Sequence, residues 1–324
     1  MLRLILLWIS ILLFACKEGG QVSKENAIRV GFNPWPGDEV IYLAEHLGYY
    51  KEEGVKVKLV EVGSLGDTRS AFEKGSVDIA TSTNIDLLQV RCRNKKEAQI
   101  IALTDYSNGG DLILAKEEIK TVADLKGKKV GAEGGSLNIY VLFRALEKNG
   151  VSLKDVEVVY LDQTSMNDAI STGKVDAVVT YPPYSIEISN KHKVNKLFTS
   201  KEIPAEVLDV LIADKSFVEN NQENLTKFFK AIDRAWDYMN KNKDKAYAVM
   251  AAREKVSVEE FKTAIEEDLQ LVRFKDQTEL FKTGGSIDKA MQKTYEIMKL
   301  TGNLKGEPGE TPYVNSSIVN KFKK

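Results

Sequence analysis

Gly75-Ser76-Val77-Asp78-Ile79-Ala80-Thr81 returns in the second half of the chain as Gly173-Lys174-Val175-Asp176-Ala177-Val178-Val179-Thr180, and this echo decides the fold. Each glycine follows an amphipathic stretch, where a left-handed residue stops a helix. Each Val-Asp then opens an apolar strand that ends in threonine. Upstream, at near-equal distances, lie the strand starts Val30-Gly31 and Val130-Gly131. Between them sits a shared Ser-[Leu/Met]-x-Asp, at Ser64–Asp67 and Ser165–Asp168. The spacing predicts one supersecondary plan built twice, as two α/β lobes. Open α/β sheets place ligand sites outside the carboxyl ends of their strands. Two such lobes facing each other across a hinge enclose a cleft that closes on a small molecule. The pattern specifies capture of a solute and, by itself, no chemistry.

Working outward, short β-branched strands alternate with longer amphipathic helices from Ala27 onward, the signature of α/β layers. Strands are predicted over 28–32, 55–62, 77–81, 100–104, 129–132, 156–161, 175–180 and 207–213. Helices are predicted over 40–49, 67–74, 85–93, 136–149 and 167–172. The remainder is helical over 224–240, 244–253, 258–269 and 286–300. Ser107-Asn108-Gly109-Gly110 reads as a hinge. The expected division is lobe one from 27–108 and 207–324, and lobe two from 109–206. Phe228, Phe229, Ile232, Ala235, Trp236 and Met239 recur at helical spacing and are expected to be core of lobe one.

The first residues do not belong to that body. Arg3 is followed by the apolar run Leu4–Phe14, then Ala15 and Cys16. The run is shorter than the about 20 apolar residues of a spanning helix and has the layout of a secretory signal. Leu13-Phe14-Ala15-Cys16 resembles a bacterial lipobox, whose cysteine is acylated after cleavage. Residues 1–15 are therefore expected to be a lipoprotein signal peptide, Cys16 the lipid-anchored N-terminus and 16–26 a flexible tether. Cys92 is the other cysteine, so an acylated Cys16 leaves no intrachain disulfide. Hydrophobic residues at 43% and charged residues at 29% supply real cores in a globular chain. A formal net charge of −1 gives no basic excess for nucleic acid.

Asn33-Pro34-Trp35-Pro36-Gly37 followed by Tyr42-Leu43-Ala44-Glu45-His46-Leu47-Gly48-Tyr49-Tyr50-Lys51-Glu52-Glu53-Gly54-Val55 resembles the opening of periplasmic binding proteins of the nitrate/sulfonate/taurine and thiamine-precursor class. Asp124-Leu125-Lys126-Gly127-Lys128-Lys129-Val130, Gly134-Gly135-Ser136, Gly173–Ala177 and Tyr181-Pro182-Pro183-Tyr184 extend the likeness over roughly residues 28 to 220. The resemblance implies a type II periplasmic-binding-protein fold, with mixed sheets flanked by helices. It also implies service to an ABC importer, with a permease and its ATPase as partners, no cofactor and a monomeric receptor. Many relatives read Trp-Glu-Pro where this chain has Tyr181 and Pro182, so the usual polar contact there is not carried over.

Candidate ligand contacts come from the loops that follow strands. In lobe one these are Asn33, Trp35, Gly37, Ser64, Asp67, Ser82, Asn84, Asp86 and Asp105. In lobe two they are Ser136, Asn138, Thr164, Tyr181 and Tyr184. Trp35, stiffened between two prolines, is expected to form one wall of a stacking clamp opposite Tyr181 or Tyr184. Its removal is expected to weaken binding with little loss of stability. Gly134-Gly135-Ser136 precedes a helix whose N–H groups could hold an oxyanion, or the same residues form an ordinary cap. These loops carry Asp38, Glu39, Asp67, Asp86, Asp105, Asp111, Glu133 and Asp162 and no lysine or arginine. An acidic, aromatic cleft suits a cation, an amine or an electron-poor ring; an anion would depend on backbone donors.

Two rival functions follow. Thiamine-pyrimidine synthases share the implied fold, yet they use a cysteine-rich motif absent here. The two histidines, His46 and His192, lie in polar, charged surroundings without nucleophile or metal-ligand spacing. The reading is therefore of a binding protein, not an enzyme. A sensor is the other rival; no output domain follows the last helices, so signalling is expected to need a separate protein.

Overall fold

The computed structural model describes residues 27–322 apart from 95, 301 and 303. The signal peptide, Cys16 and the tether lie outside the described residues. The chain first runs through β1 (Ile28–Phe32), β2 (Val57–Glu61), β3 (Ile79–Thr83) and β4 (Ala98–Ser107). It then crosses to β5 (Leu112–Lys116), β6 (Lys129–Ala132), β7 (Glu157–Tyr160), β8 (Ala177–Thr180) and β9 (Val194–Thr199). It returns through β10 (Leu208–Asp214) and β11 (Leu269–Leu271). One sheet has the order β11-β4-β10-β3-β1-β2, the other β7-β6-β8-β5-β9. Both are mixed: β1 is parallel to β2 and β3, and β6 to β7 and β8, while the crossing strands β10 and β5 are antiparallel to their neighbours.

The repeated Gly-x-Val-Asp does the same work twice. Gly75 and Gly173 take positive φ, 71° and 75°, so each helix ends and the chain turns into a strand without a Cβ clash. Asp78 then accepts the Arg29 N–H at 2.8 Å, and Asp176 accepts the Lys129 N–H at 3.0 Å. In return Asp78 N–H donates to Arg29 C=O and Asp176 N–H to Lys129 C=O, both at 2.8 Å. The valine is buried in each copy, and a Cβ at Gly31 would stand 3.1 Å from Val77. Gly31 lies opposite Ala80 and Gly131 opposite Val178. The motif is thus a register lock that fixes the third strand of each unit beside the first.

Several boundaries differ from expectation. The helix predicted over 40–49 is two helices, Glu39–His46 and Tyr49–Glu52, broken where Gly48 takes φ of 75°. The helices predicted over 67–74 and 136–149 run Leu65–Glu73 and Leu137–Lys148, capped by Ser64 and Ser136, whose side chains each accept a backbone N–H of the first turn. Pattern reading missed β5 and β9. Leu112-Ile113-Leu114-Ala115 is buried on both faces and so lacks alternation.

Two crossings join the sheets, and they are pinned together. Ser107 Oγ and Ser200 Oγ are 2.8 Å apart, and Gly109 N–H donates to Ser200 Oγ at 2.6 Å. Between β9 and β10, Glu206 gathers Tyr140 Oη at 2.8 Å, Arg144 Nε at 2.8 Å and Lys293 Nζ at 2.9 Å. The long helix Gln222–Lys241 packs the apolar stripe read from sequence: Phe228 stacks on Tyr50 at 5.4 Å, and Phe229 on Phe274 at 3.9 Å. Residues 313–315 lie along β4, with Val314 bridged to Ile100. Buried Arg91 holds this segment by donating to the carbonyls of Pro308 at 2.8 Å and Thr311 at 2.5 Å. Cys92 is buried beside it.

Candidate functional site

The carboxyl ends of β1 and β3 face those of β6 and β8 across a narrow cavity of ≈ 20 Å³, so the two halves are nearly closed on one another. From the first sheet and its loops come Asn33, Trp35, Asp38, Ser82 and Asp209, and Leu65 from the start of the helix Leu65–Glu73. From the second come Asp111, Leu137 and Tyr181. Larger spaces exist, including a groove of ≈ 630 Å³ lined by Pro34, Glu61, Pro183, Tyr184 and Arg253. That groove opens at the mouth between the two sets of strand ends, whereas the small cavity lies within it among buried residues, so the small cavity is the candidate site.

Trp35 is walled in. Its Nε1–H donates to Asp105 Oδ2 at 3.1 Å, and its ring meets Tyr181 edge-on, with centroids 6.0 Å apart at 80°. Gly37 lies behind it, and a Cβ there would overlap Asp105 Oδ2. The expected stacking clamp is therefore not formed in this state: the two rings touch instead of facing one another across a slot. Tyr181 Oη accepts the Leu65 N–H at 3.1 Å, and Tyr184 Oη donates to the Gly63 carbonyl. Both tyrosines thus reach from the second sheet to the first turn of the helix Leu65–Glu73. Asn33 lines the cavity with its amide committed: Oδ1 accepts from Thr68 and Nδ2 donates to Pro34 C=O.

Other sequence candidates have structural employment. Asn84 is fully buried and donates to Glu206 C=O and Thr294 Oγ1 while accepting the Leu208 N–H. It secures the hinge, away from the cavity. Asn138 accepts the Glu133 N–H at 3.1 Å, and Ser136 caps its helix. Asp67 and Thr164 are exposed at the lip.

Asp86 corrects two expectations. Its Oδ2 accepts the Leu137 N–H at 3.3 Å, so the helix start after Gly134-Gly135-Ser136 faces the protein's own carboxylate, not a free oxyanion pocket. Its Oδ1 pairs at 2.5 Å with Arg69, a cation absent from the strand-end loops that nonetheless reaches the cleft. Arg69 also donates to the carbonyls of Gly135 at 2.6 Å and Gly134 at 3.4 Å. Reciprocally, Glu133 of the second sheet lies against Gly66 in the first turn of Leu65–Glu73. Each half sends a carboxylate to the positive end of the other's helix.

Four aspartates surround the cavity's floor: Asp38, Asp105, Asp111 and Asp209, all buried. Asp105 and Asp209 sit directly opposite each other on β4 and β10, a repulsive placement if both are charged. Burial pushes Asp105 up to about 6 and Asp111 up to about 7, the latter opposed by the nearby Ser107 hydroxyl. Burial, then the Asp105 charge, raises Asp38 and Asp209 well above the usual carboxylate range. Sequence reasoning missed Asp209 as a site residue, although a lone aspartate inside Val207-Leu208-Asp209-Val210-Leu211-Ile212 was a readable signal. Asp38 and Asp111 were noticed only as loop charges, and Leu65, Leu137 and Arg69 were not singled out.

The fold is that of periplasmic binding proteins. The alkanesulfonate-binding protein SsuA of Xanthomonas axonopodis pv. citri superposes with a TM-score of 0.73 at 17% identity, covering 90% of this chain and 97% of that one. In sequence, a formylaminopyrimidine-binding protein of Halalkalibacterium halodurans is 25% identical over 260 residues, 76% of this chain and 78% of its own. A 4-amino-5-hydroxymethyl-2-methylpyrimidine phosphate synthase of Saccharomyces cerevisiae is 27% identical over 241 residues, 67% and 68% of the two chains. The profile described as NMT1/THI5 like matches residues 36–246. A chain that repeats one βα unit about such a cleft, and matches that profile over most of its length, belongs to the NMT1/THI5-like family.

Proposed function

We propose that this chain is the extracytoplasmic solute-binding component of an ABC importer, lipid-anchored through Cys16. As a monomer it captures a small organic solute between lobes 27–108 with 207–324 and 109–206, and hands it to a permease driven by its ATPase. The observation that carries the reading is the cavity closed from both sides by Trp35, Asp111 and Tyr181, with the chain passing between the sheets at two short crossings pinned at Ser107 and Ser200. Asn33, Trp35, Ser82 and Tyr181 are the proposed contacts among the sequence candidates, with Gly37 and Asp105 shaping the wall behind them.

The synthase relative supplies a second reading, catalysis on a pyrimidine. What favours binding is that His46 is exposed on its helix and His192 is held by Asn167 at 3.0 Å, both outside the cavity lining. Acid–base chemistry there would fall to the carboxylates and the Tyr181 phenol.

A thermal-shift panel of sulfonates, pyrimidines, polyamines and small amines tests solute capture. A true ligand at a hundredfold excess over Kd stabilises by about 2.7 kcal/mol, and one class is expected to do so while the others do not. If no class moves the transition, solute capture is lost as an explanation. Anchoring is tested separately: Cys16→Ser should leave the membrane fraction or stay uncleaved. Unchanged membrane retention of that variant with its signal peptide cleaved would remove the lipid anchor.

A further inference from the structure

We propose that the cavity is built for an organic cation, an ammonium or amidinium bearing at least two N–H donors, seated among Asp38, Asp105, Asp111 and Asp209. The inference rests on the solute-binding reading and assigns the charge of the solute.

Asp105 and Asp111 are fully buried, and Asp38 and Asp209 are 4% and 6% exposed. Asp111 lines the cavity, and the nearby Ser107 hydroxyl is the one donor close to its oxygens, neither of which makes a hydrogen bond of normal geometry. Asp38 Oδ1, Asp105 Oδ1 and Asp209 Oδ2 are likewise buried without one, the latter two having only each other across the strand pair. Among the described residues none of the four makes an ion pair. A buried carboxylate without donor or counter-charge is costly, and a cluster of them more so. Two remedies exist: protons in the empty site, or a cation in the filled one. Leu65, Leu137 and the Trp35 and Tyr181 rings complete the lining with apolar surface, which suits a carbon skeleton and, at a ring face, a cationic head. A metal ion is a poorer fit, because among the described residues the four carboxylates do not close on one point as metal ligands must, whereas an organic cation with separated N–H donors can meet them in turn. An anion is disfavoured too: the helix start that would receive it already holds Asp86, and Arg69 is spent on that same carboxylate.

Binding then displaces protons. Asp38 follows β1, Asp105 and Asp209 sit on β4 and β10, and Asp111 leads into β5; Tyr181 faces them after β8, while Glu133 and the Arg69–Asp86 pair stand behind. Burial holds Asp105 near 6 and Asp111 near 7. A bound cation favours their charged forms and lowers both. Affinity for the cation must therefore rise as pH increases from about 5 to about 8.

Three probes of one shape decide the matter: benzamidine as its cation, neutral benzamide and anionic benzenesulfonate, with putrescine as an aliphatic cation, followed by calorimetry. At least one cation should bind about tenfold or more tightly than benzamide, and benzenesulfonate should not compete. Cation affinity should rise across that pH interval, and Asp111→Asn should lower it at least about tenfold and flatten the pH profile. Equal or tighter binding of benzamide or benzenesulfonate, a flat or falling pH profile in the unaltered protein, or no binding of either cation overturns the proposal. The first two results would leave solute capture standing. Failure of the whole thermal-shift panel would remove both. If Asp111→Asn does not fold, the pH profile of the unaltered protein decides alone.

Discussion

Trp35→Ala should lower the unfolding free energy by about 3–5 kcal/mol, the range for removing a buried aromatic side chain, and should lose ligand binding with it. Trp35 is 5% exposed. Its far edge lies so close to the backbone of Gly110 that a Cβ there would stand 2.7 Å from it. The opposite edge donates to Asp105, and Tyr181 meets the ring side-on. Alanine would leave a hole between the sheets and remove one of the donors to an already costly carboxylate, leaving Thr104 Oγ1–H at 3.2 Å. The expectation from sequence, weakened binding with little loss of stability, is reversed in its second half by this burial. Urea unfolding measures it. A loss under about 1 kcal/mol would mean that the ring stands free of the core, and Trp35→Phe should fall between the two.

Asp86→Ala is the second large effect, and its character differs because the lost contacts join the two halves of the molecule. Asp86 accepts from Arg69, from Thr83 Oγ1–H at 2.9 Å and from the Leu137 N–H. The Arg69 side chain is 10% exposed; without Asp86 it keeps only the Gly134 and Gly135 carbonyls. Breaking a buried pair on one side costs about 3–5 kcal/mol, because the remaining charge stays desolvated. Leu137, Gly134 and Gly135 belong to the second sheet's half, so part of this loss should appear as opening. Solution scattering of the ligand-free variant should show a larger radius of gyration. Adding Arg69→Met should restore a substantial part of the stability in a double-mutant cycle. Strict additivity of the two changes, with no change in scattering, would show that this pair does not bridge the halves.

How much was legible before the coordinates depended on how local the information was. The duplicated βα unit was readable because each of its parts acts on near neighbours. Gly75 and Gly173 need only a positive φ, and Asp78 and Asp176 need only reach the backbone of the adjacent strand. The helix Ser286–Leu300 and the apolar stripe of Gln222–Lys241 were equally local, since burial of one face writes a period into the sequence. β5 wrote no such period, because both of its faces are covered.

By itself, then, the sequence determined the repeated unit and the family that carries it. Only the tertiary structure decided what the cleft is made of. Asp38, Asp105, Asp111 and Asp209 come from four separate segments and meet because β10 crosses back between β3 and β4. Arg69 sits in a helix interior and enters the cleft only because the second half supplies the carbonyls it binds. Trp35 was a plausible free wall until Gly110 and Tyr181 closed on it. Periodicity records which face of an element is buried; which charges share that burial depends on strand order and crossing, which leave no period to read.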